Sequence, residues 1–460
     1  MDAADRILIR WHQPPPVDDL PAKCIAGRPF HVAATIFRDG HGVLRSRVRW
    51  RAAGGQARSE VEWSEAPMVP GFDDLFRASF VPTTLGLHEY VVEAWTSQFE
   101  TWRRDIRLRA SVGEDVEAEL LEGAAILDRL APAVPRKFRR RVRDAVTTLR
   151  STTCSSNVRM SAGLDDAVAE AVATVIDPTD HTSTGFRTVR VERERAAVGA
   201  WYEFFPRSVG GFAGGAVDRL DAIADMGFDV VYLPPIHPIG VTNRKGRNNS
   251  LGAGPGDPGS PWAIGAAEGG HTAMHPELGT FDDFDAFVAR ADELGLEVAL
   301  DYALQCSPDH PWITEHPEWF HHLPDGSIRY AENPPKRYQD IHPINFWPEE
   351  EPRLALWNAC HEILEFWIGH GVRIFRVDNP HTKPIAFWAW LLPEVWADHP
   401  DVVFLAEAFT HPAMMHELAA IGFSQSYTYF TWRTGKQELA EYALEVARGP
   451  ASDYMRPNFW

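Results

Sequence analysis

Over residues 6–110 apolar and polar positions alternate in short runs separated by turn signals: RILIRW, FHVAATIF, RSRVRWR, EVEWSE, LFRASF, HEYVVEAW and DIRLRA. A period of two buries one face of a strand and wets the other, so each run reads as half-buried β-structure. Seven such runs at this spacing predict an antiparallel sandwich of immunoglobulin-like type over residues 1–111.

From Gly113 the period changes. Val116, Leu120, Ala124 and Leu127 recur at helical spacing through an acidic stretch, a strongly basic helix is predicted over about 137–150, and a third carries Val168, Val172 and Val175. These make a helical insert over residues 112–189. The basic run Arg136, Lys137, Arg139, Arg140, Arg141, Arg143 reads as a solvated or interface surface beside the acidic helix.

Beyond about Arg190 strand-like runs alternate with amphipathic helices. The strands are WYEFF, DVVYLPPI, EVALDY, VRIFRVD, VVFLAEAF and SYTYFTW, with helices expected near 216–226, 282–294, 353–370 and 384–396. Alternation of this kind gives βαβ units and a parallel sheet, either a (β/α)8 TIM barrel or a doubly wound fold. Charged residues at the strand ends favour the barrel, whose sites are built from those ends. The Gly/Pro-rich loop from Pro235 to Asp282 is long enough to be functional. The six strands, with Asn458-Phe459-Trp460 starting a seventh, describe a catalytic barrel over residues 190–460 that stops at about strand 7. A chain of these residues alone is therefore expected to be inactive.

Composition narrows the partners. With 45 basic and 64 acidic residues in 460, the net charge of −19 disfavours nucleic acid and anionic lipid. No apolar run could act as a signal peptide or span a bilayer, and Cys24, Cys154, Cys306 and Cys360 lack metal or redox spacing, so a cytoplasmic protein with reduced thiols is expected. Seventeen tryptophans, among them Trp201, Trp262, Trp312, Trp319 and Trp347, offer faces for sugar rings as well as core filler.

Candidate chemistry sits on two consecutive strands. VRIFRVD ends in Asp378, with Arg376 on the same face two residues earlier, where a cation can hold the carboxylate ionised; a structural ion pair would look the same. VVFLAEAF carries Glu407 among apolar neighbours that raise its pKa. Two carboxylates in unlike surroundings make a nucleophile and an acid/base. GGFAGG at 210–215 lacks phosphate-loop spacing and reads as a strand-to-helix turn, and His316, His321 and His322 lack the spacing of metal ligands, so neither metal nor cofactor is expected.

GVRIFRVDNPH and VVFLAEAF resemble, in order and on consecutive strands, the Gly-x-Arg-x-Asp and Glu regions of the α-amylase superfamily. More narrowly, WYEFFPRS, VVYLPPIHPIG, RKGRNNSLGAGPGDPGSPWAIG, GGHTAMHPELGT, LDYALQCSPDHPW and ENPPKRYQDIHPINFW are similar to bacterial α-1,4-glucan:maltose-1-phosphate maltosyltransferases. The resemblance implies retaining transfer of maltosyl units from α-maltose 1-phosphate to α-1,4-glucan, by a homodimer, without cofactors. Asp378 would be the nucleophile and Glu407 the acid/base, with Arg376 beside them. Lys245, Gln305, Asp340 and Asn379 would meet the donor sugar, and Asn333, Lys336 and Tyr338 its phosphate. The superfamily's third catalytic carboxylate has no counterpart among these residues. Asp301 is followed by Tyr-Ala-Leu-Gln where most α-amylases carry Asn-His, which argues against plain amylase activity. The alternatives are another superfamily hydrolase or isomerase, or a glucan-binding protein without turnover.

Overall fold

A computed structural model describes residues 6–15, 20–53, 62–173, 175–177 and 180–458. They divide into two units, one of Met1–Asp19, Arg28–Pro82 and Leu87–Val189, the other of Leu20–Gly27, Thr83–Gly86 and Arg190–Trp460.

In the first unit the alternating runs form two antiparallel layers. Phe30–Arg38 lies between Ile7–Gln13 and Leu75–Phe80, with Val69–Pro70 outside. In the other layer Leu44–Ala52 lies between Ser64–Pro67 and the long strand ending at Thr96, whose far side takes His181–Ser183. Trp50 of one layer stacks on Phe80 of the other at 4.7 Å between ring centroids. Glu60 and Val61 of EVEWSE lie outside the described residues, and the strand there is Ser64–Pro67.

The seventh expected strand, DIRLRA, is helix. It falls inside Gln98–Ser111, capped by Ser97, whose side chain accepts from the Glu100 amide. Phe99, Trp102, Arg103 and Ile106 are the buried positions, at helical spacing, whereas Leu108 is 60% exposed. The alternation of charged and apolar residues in DIRLRA was therefore misleading, because packing selects the 3.6 period that starts further upstream. Helices follow at Glu117–Leu130, Arg139–Leu149, Ser156–Gly163 and Asp166–Val172. They share one core with Trp102, against which Gly123 sits so closely that a Cβ there would lie 2.3 Å from the indole.

The second unit is built on seven parallel strands: β1 (Trp201–Glu203), β2 (Val230–Leu233), β3 (Glu297–Tyr302), β4 (Ile374–Asp378), β5 (Val403–Glu407), β6 (Gln425–Tyr427) and β7 (Pro457–Asn458). Their spatial order is their chain order. A doubly wound sheet reverses direction part-way across, so this is the singly wound layout of a β/α barrel. The intervening helices are α1 (Ala216–Asp225), α2 (Phe281–Glu293), α3 (Glu350–Gly369), α4 (Ile385–Asp398) and α5 (Pro412–Ile421), and α6 (Lys436–Arg448) precedes β7. SYTYFTW is strand only as far as Tyr427, beyond which Tyr429–Trp432 turns as a 3-10 helix. Phe459 and Trp460 lie outside the described residues.

Both faces of the sheet are covered, which is why its strands read as continuous apolar runs. Val231, Leu233, Val298, Leu300, Phe375 and Phe404 share a core with helix residues Phe284, Phe287, Trp367 and Trp388. Val230, Tyr232, Ala299, Ile374 and Val403 form the opposite, inner cluster. The period of two then continues the inner row to Asp301, Arg376, Asp378 and Glu407 at the C-terminal strand ends. GGFAGG is the turn expected: Gly211 (φ 81) bends so tightly against Leu278 that a Cβ would come 2.6 Å from its carbonyl oxygen, and α1 starts at Ala216.

Candidate active site at the strand ends

Strand register sets the site. Asp301 of β3 pairs with Arg376 of β4, and Asp378 of β4 pairs with Glu407 of β5. Arg376 Nη1 lies 2.8 Å from Asp301 Oδ2 and 2.8 Å from Asp378 Oδ1, and its Nη2 lies 3.6 Å from Glu407 Oε1. One guanidinium therefore serves three carboxyls, and the Tyr232 hydroxyl donates to the same Oδ2 of Asp301 that Arg376 contacts. Their charges hold Arg376 protonated despite its burial.

Asn379 ties the two strand ends together. Its backbone N–H donates to Glu407 Oε2 at 3.0 Å, and its Nδ2 donates to Asp378 Oδ2 at 3.3 Å. The backbone there is left-handed (φ 45, ψ 55), a region that Asn enters more readily than most residues.

Burial raises Glu407 above the usual carboxylate range, opposed by Arg376 and reinforced by the charge of Asp378. Burial likewise pushes Asp301 up to about 7, against the pull of Arg376. Glu407 is thus suited to keep a proton to higher pH than a solvent-exposed glutamate.

Beside the pair opens a cleft of about 690 Å³ whose wall includes Asp378, Asn379, Gln305, Asp340, Asn333 and Tyr338. Six of the sequence-selected residues thus meet on one surface. Lys245 stands behind it, 95% buried, 4.0 Å from Asp340 Oδ1 and donating to Gln339 Oε1 at 3.1 Å. Gln305 Nε2 donates to the Trp262 carbonyl. Lys336 is exposed on the hairpin formed by Ala331–Asn333 and Lys336–Tyr338, whose Asn333 and Tyr338 reach the cleft wall. Among the described residues Trp262 Nε1, Asp340 Oδ1 and His381 Nδ1 are buried without a hydrogen-bond partner, and all three residues line this cleft. Buried polar atoms normally find partners, so they mark where a polar ligand's hydroxyls can bond.

Sequence reasoning missed three contributors. Asp301 was read only as a departure from a motif, although its place at the end of EVALDY was the signal. Lys383 and His381 follow Asp378 closely in sequence, and both line the cleft. A second cluster was also missed. His271, Cys306 and His310 are buried, with their possible ligand atoms within 4.8 Å of one another. His310 Nδ1 accepts from the Trp312 amide, which puts its proton on Nε2 to be donated to His271 Nδ1, leaving His271 Nε2 to donate to the Ala303 carbonyl. Every imidazole nitrogen of this pair is engaged, as befits a neutral structural relay. His316, by contrast, lies stacked on Trp319 at 3.8 Å and beside Glu318.

Fold and site together define a β/α-barrel type domain with a carboxylate pair at neighbouring strand ends. Residues 6–193 match the family model described as "Alpha-1,4-glucan:maltose-1-phosphate maltosyltransferase, domain N/S". The chain is 52% identical over 447 residues to alpha-1,4-glucan:maltose-1-phosphate maltosyltransferase 1 of Streptomyces coelicolor, covering 96% of this chain and 65% of that protein. It is 47% identical over 477 residues to alpha-1,4-glucan:maltose-1-phosphate maltosyltransferase of Mycolicibacterium smegmatis, covering 96% and 67%. A crystal structure of an alpha-amylase from Lactobacillus plantarum is 30% identical with a TM-score of 0.43, covering 55% of this chain and 60% of that one. The chain belongs to the α-1,4-glucan:maltose-1-phosphate maltosyltransferase family, and spans about two thirds of the length of these curated relatives.

Proposed function

We propose that this chain carries the donor site of a retaining maltosyltransferase, which moves maltosyl units from α-maltose 1-phosphate to the non-reducing end of an α-1,4-glucan and releases phosphate. The observation that carries the reading is the Asp378–Glu407 pair, in register on adjacent strands, sharing Arg376 and bridged by Asn379. Neighbouring strands lie about 4.8 Å apart, which favours the close spacing of retaining pairs over the wider gap that an inverting water needs.

Asp378 attacks the anomeric carbon, the bond to the phosphate oxygen breaks, and phosphate leaves with the bonding electrons. Glu407 then takes the proton of the acceptor 4-hydroxyl as that oxygen displaces Asp378. Lys245, Gln305, Asp340 and Asn379 hold the donor sugar, and Asn333, Lys336 and Tyr338 face its phosphate. Phosphate needs little protonation to leave, since its monoester loses a second proton at a pKa of about 6. The first unit is assigned as an immunoglobulin-like sandwich followed by a helical insert whose first helix begins at Gln98, and the second as the catalytic barrel. A homodimer belongs to the same reading, as does a cytoplasmic setting.

The test uses the complete natural protein with maltose 1-phosphate and glycogen. Phosphate release is expected, with Asp378→Ala abolishing it and Glu407→Ala accumulating a maltosyl adduct on Asp378 in intact-mass spectra. An adduct on another residue removes Asp378 from the role.

A further inference from the structure

Lys383 has its ammonium almost wholly out of water, 7% exposed, at the wall of the active-site cleft. No carboxylate lies within ion-pairing distance of it among the described residues. Instead its Nζ donates to two backbone carbonyls, those of Asp378 at 3.0 Å and Asn379 at 3.2 Å. A buried ammonium without a counter-ion is costly. An apolar side chain of similar length would fill the same space without that cost, so the charge calls for a reason in the site.

The two carbonyls flank the Asn379 peptide, where the chain leaves β4 in the left-handed conformation. That conformation is strained for a non-glycine residue and persists only where its surroundings enforce it. Its consequence is specific: the Asn379 N–H is aimed at Glu407 while the side chain reaches Asp378. Lys383 thus holds a residue that hydrogen-bonds to both reacting carboxyls. Pro380 and the following 3-10 turn (Pro380–Thr382) bring the lysine back over the peptide it grips.

We infer that Lys383 is a positioning residue for the double displacement: by gripping the carbonyls of Asp378 and Asn379 it locks the left-handed turn that spaces the nucleophile from the acid/base. This rests on the roles proposed above for Asp378 and Glu407. The ammonium also adds a second positive charge beside Arg376, facing Asp378, Glu407 and Asp301. Its removal therefore disfavours the ionised carboxylates as well as loosening the turn.

The test compares Lys383→Met and Lys383→Arg in the complete protein, with α-maltosyl fluoride as a donor that lacks phosphate and maltose 1-phosphate as the second. A misplacement of about 1 Å costs on the order of 10²-fold in rate. Lys383→Met is expected to lose about that in kcat on both donors while donor KM changes less than about threefold, and to move the acid limb of the kcat/KM profile to higher pH. Lys383→Arg, which keeps charge and donors, is expected to recover part of the rate. A loss confined to maltose 1-phosphate, or carried by KM, would make Lys383 a phosphate contact and overturn the inference. Thermal melts show that the variants fold. A crystal structure of Lys383→Met gives an answer independent of turnover: Asn379 leaving the left-handed region supports the inference, and Asn379 unmoved with its N–H still on Glu407 overturns it. A wild-type enzyme that turns over the fluoride but not the phosphate would contradict the proposed donor while leaving the role of Lys383 testable.

Discussion

The division of labour at the site rests on single side chains. Lys336 is the sharpest case, because the hairpin brings Asn333 and Tyr338 to the cleft while the lysine itself remains in solvent. An exposed cation contributes only when a ligand charge comes to it, and a charge-assisted hydrogen bond is worth about 1.5–3 kcal/mol. Lys336→Ala is therefore expected to lower kcat/KM for maltose 1-phosphate by about tenfold or more and to leave α-maltosyl fluoride within about twofold. Equal losses on both donors would place Lys336 elsewhere. The meeting of Asp378, Glu407 and Arg376 at neighbouring strand ends was legible from charges that end apolar runs, whereas their proposed roles came from the resemblance, since a structural ion pair would look the same. Asp301 was equally placed, but it was compared with a motif rather than with its own strand.

Among elements, those shaped by local pattern were read well and those shaped by packing were not. The barrel strands and α1 to α4 follow their apolar runs and periods closely. Helices α5 and α6 were not expected from the sequence, where only strand-like runs, VVFLAEAF and SYTYFTW among them, were read beyond residue 400. DIRLRA was misread because its core contacts come from Phe99 and Trp102 upstream. The helix bundle depends on the same tryptophan, and Gly123 leaves room for it. Gly123→Ala gains helix propensity of about 1 kcal/mol but drives a methyl into the indole, and overpacking of this kind costs typically 1–3 kcal/mol. The expected result is a lower denaturation midpoint for the first unit, and a midpoint equal to or above wild type would show that Trp102 yields freely. The His271–His310 relay was invisible for a different reason, since its members lie 39 positions apart on separate loops and only the folded barrel brings them together.

At the scale of the whole molecule, buried titratable groups set the response to pH. Burial lowers His237 to about 4, His310 to about 3, and His271 well below its ordinary value. Below about 6.5 the unfolded chain takes up three protons on these groups that the folded protein refuses, so their contribution is present above that pH and lost as it falls. Asp301 acts in the opposite sense, holding one proton in the folded state up to about 7. The histidines outnumber Asp301, so the net effect is a loss of stability as pH falls from about 6.5 towards 4. Urea midpoints should therefore fall across that range, and Asp301→Asn should steepen the fall. A midpoint flat from pH 7 to 5 would mean that the histidines protonate without unfolding.

In the proposed double displacement, sharing one guanidinium among three acids also gives the reaction a clock. While Asp378 is free, its negative charge helps keep the proton on Glu407. Once Asp378 is esterified to the sugar that charge vanishes, while Arg376 remains 3.6 Å from Glu407. The affinity of Glu407 for its proton drops at the moment when the chemistry turns from leaving-group departure to deprotonation of the acceptor. As the ester breaks, the charge of Asp378 returns and favours the proton that Glu407 has just taken from the acceptor hydroxyl. The two half-reactions thus set each other's protonation state, with no moving part in between.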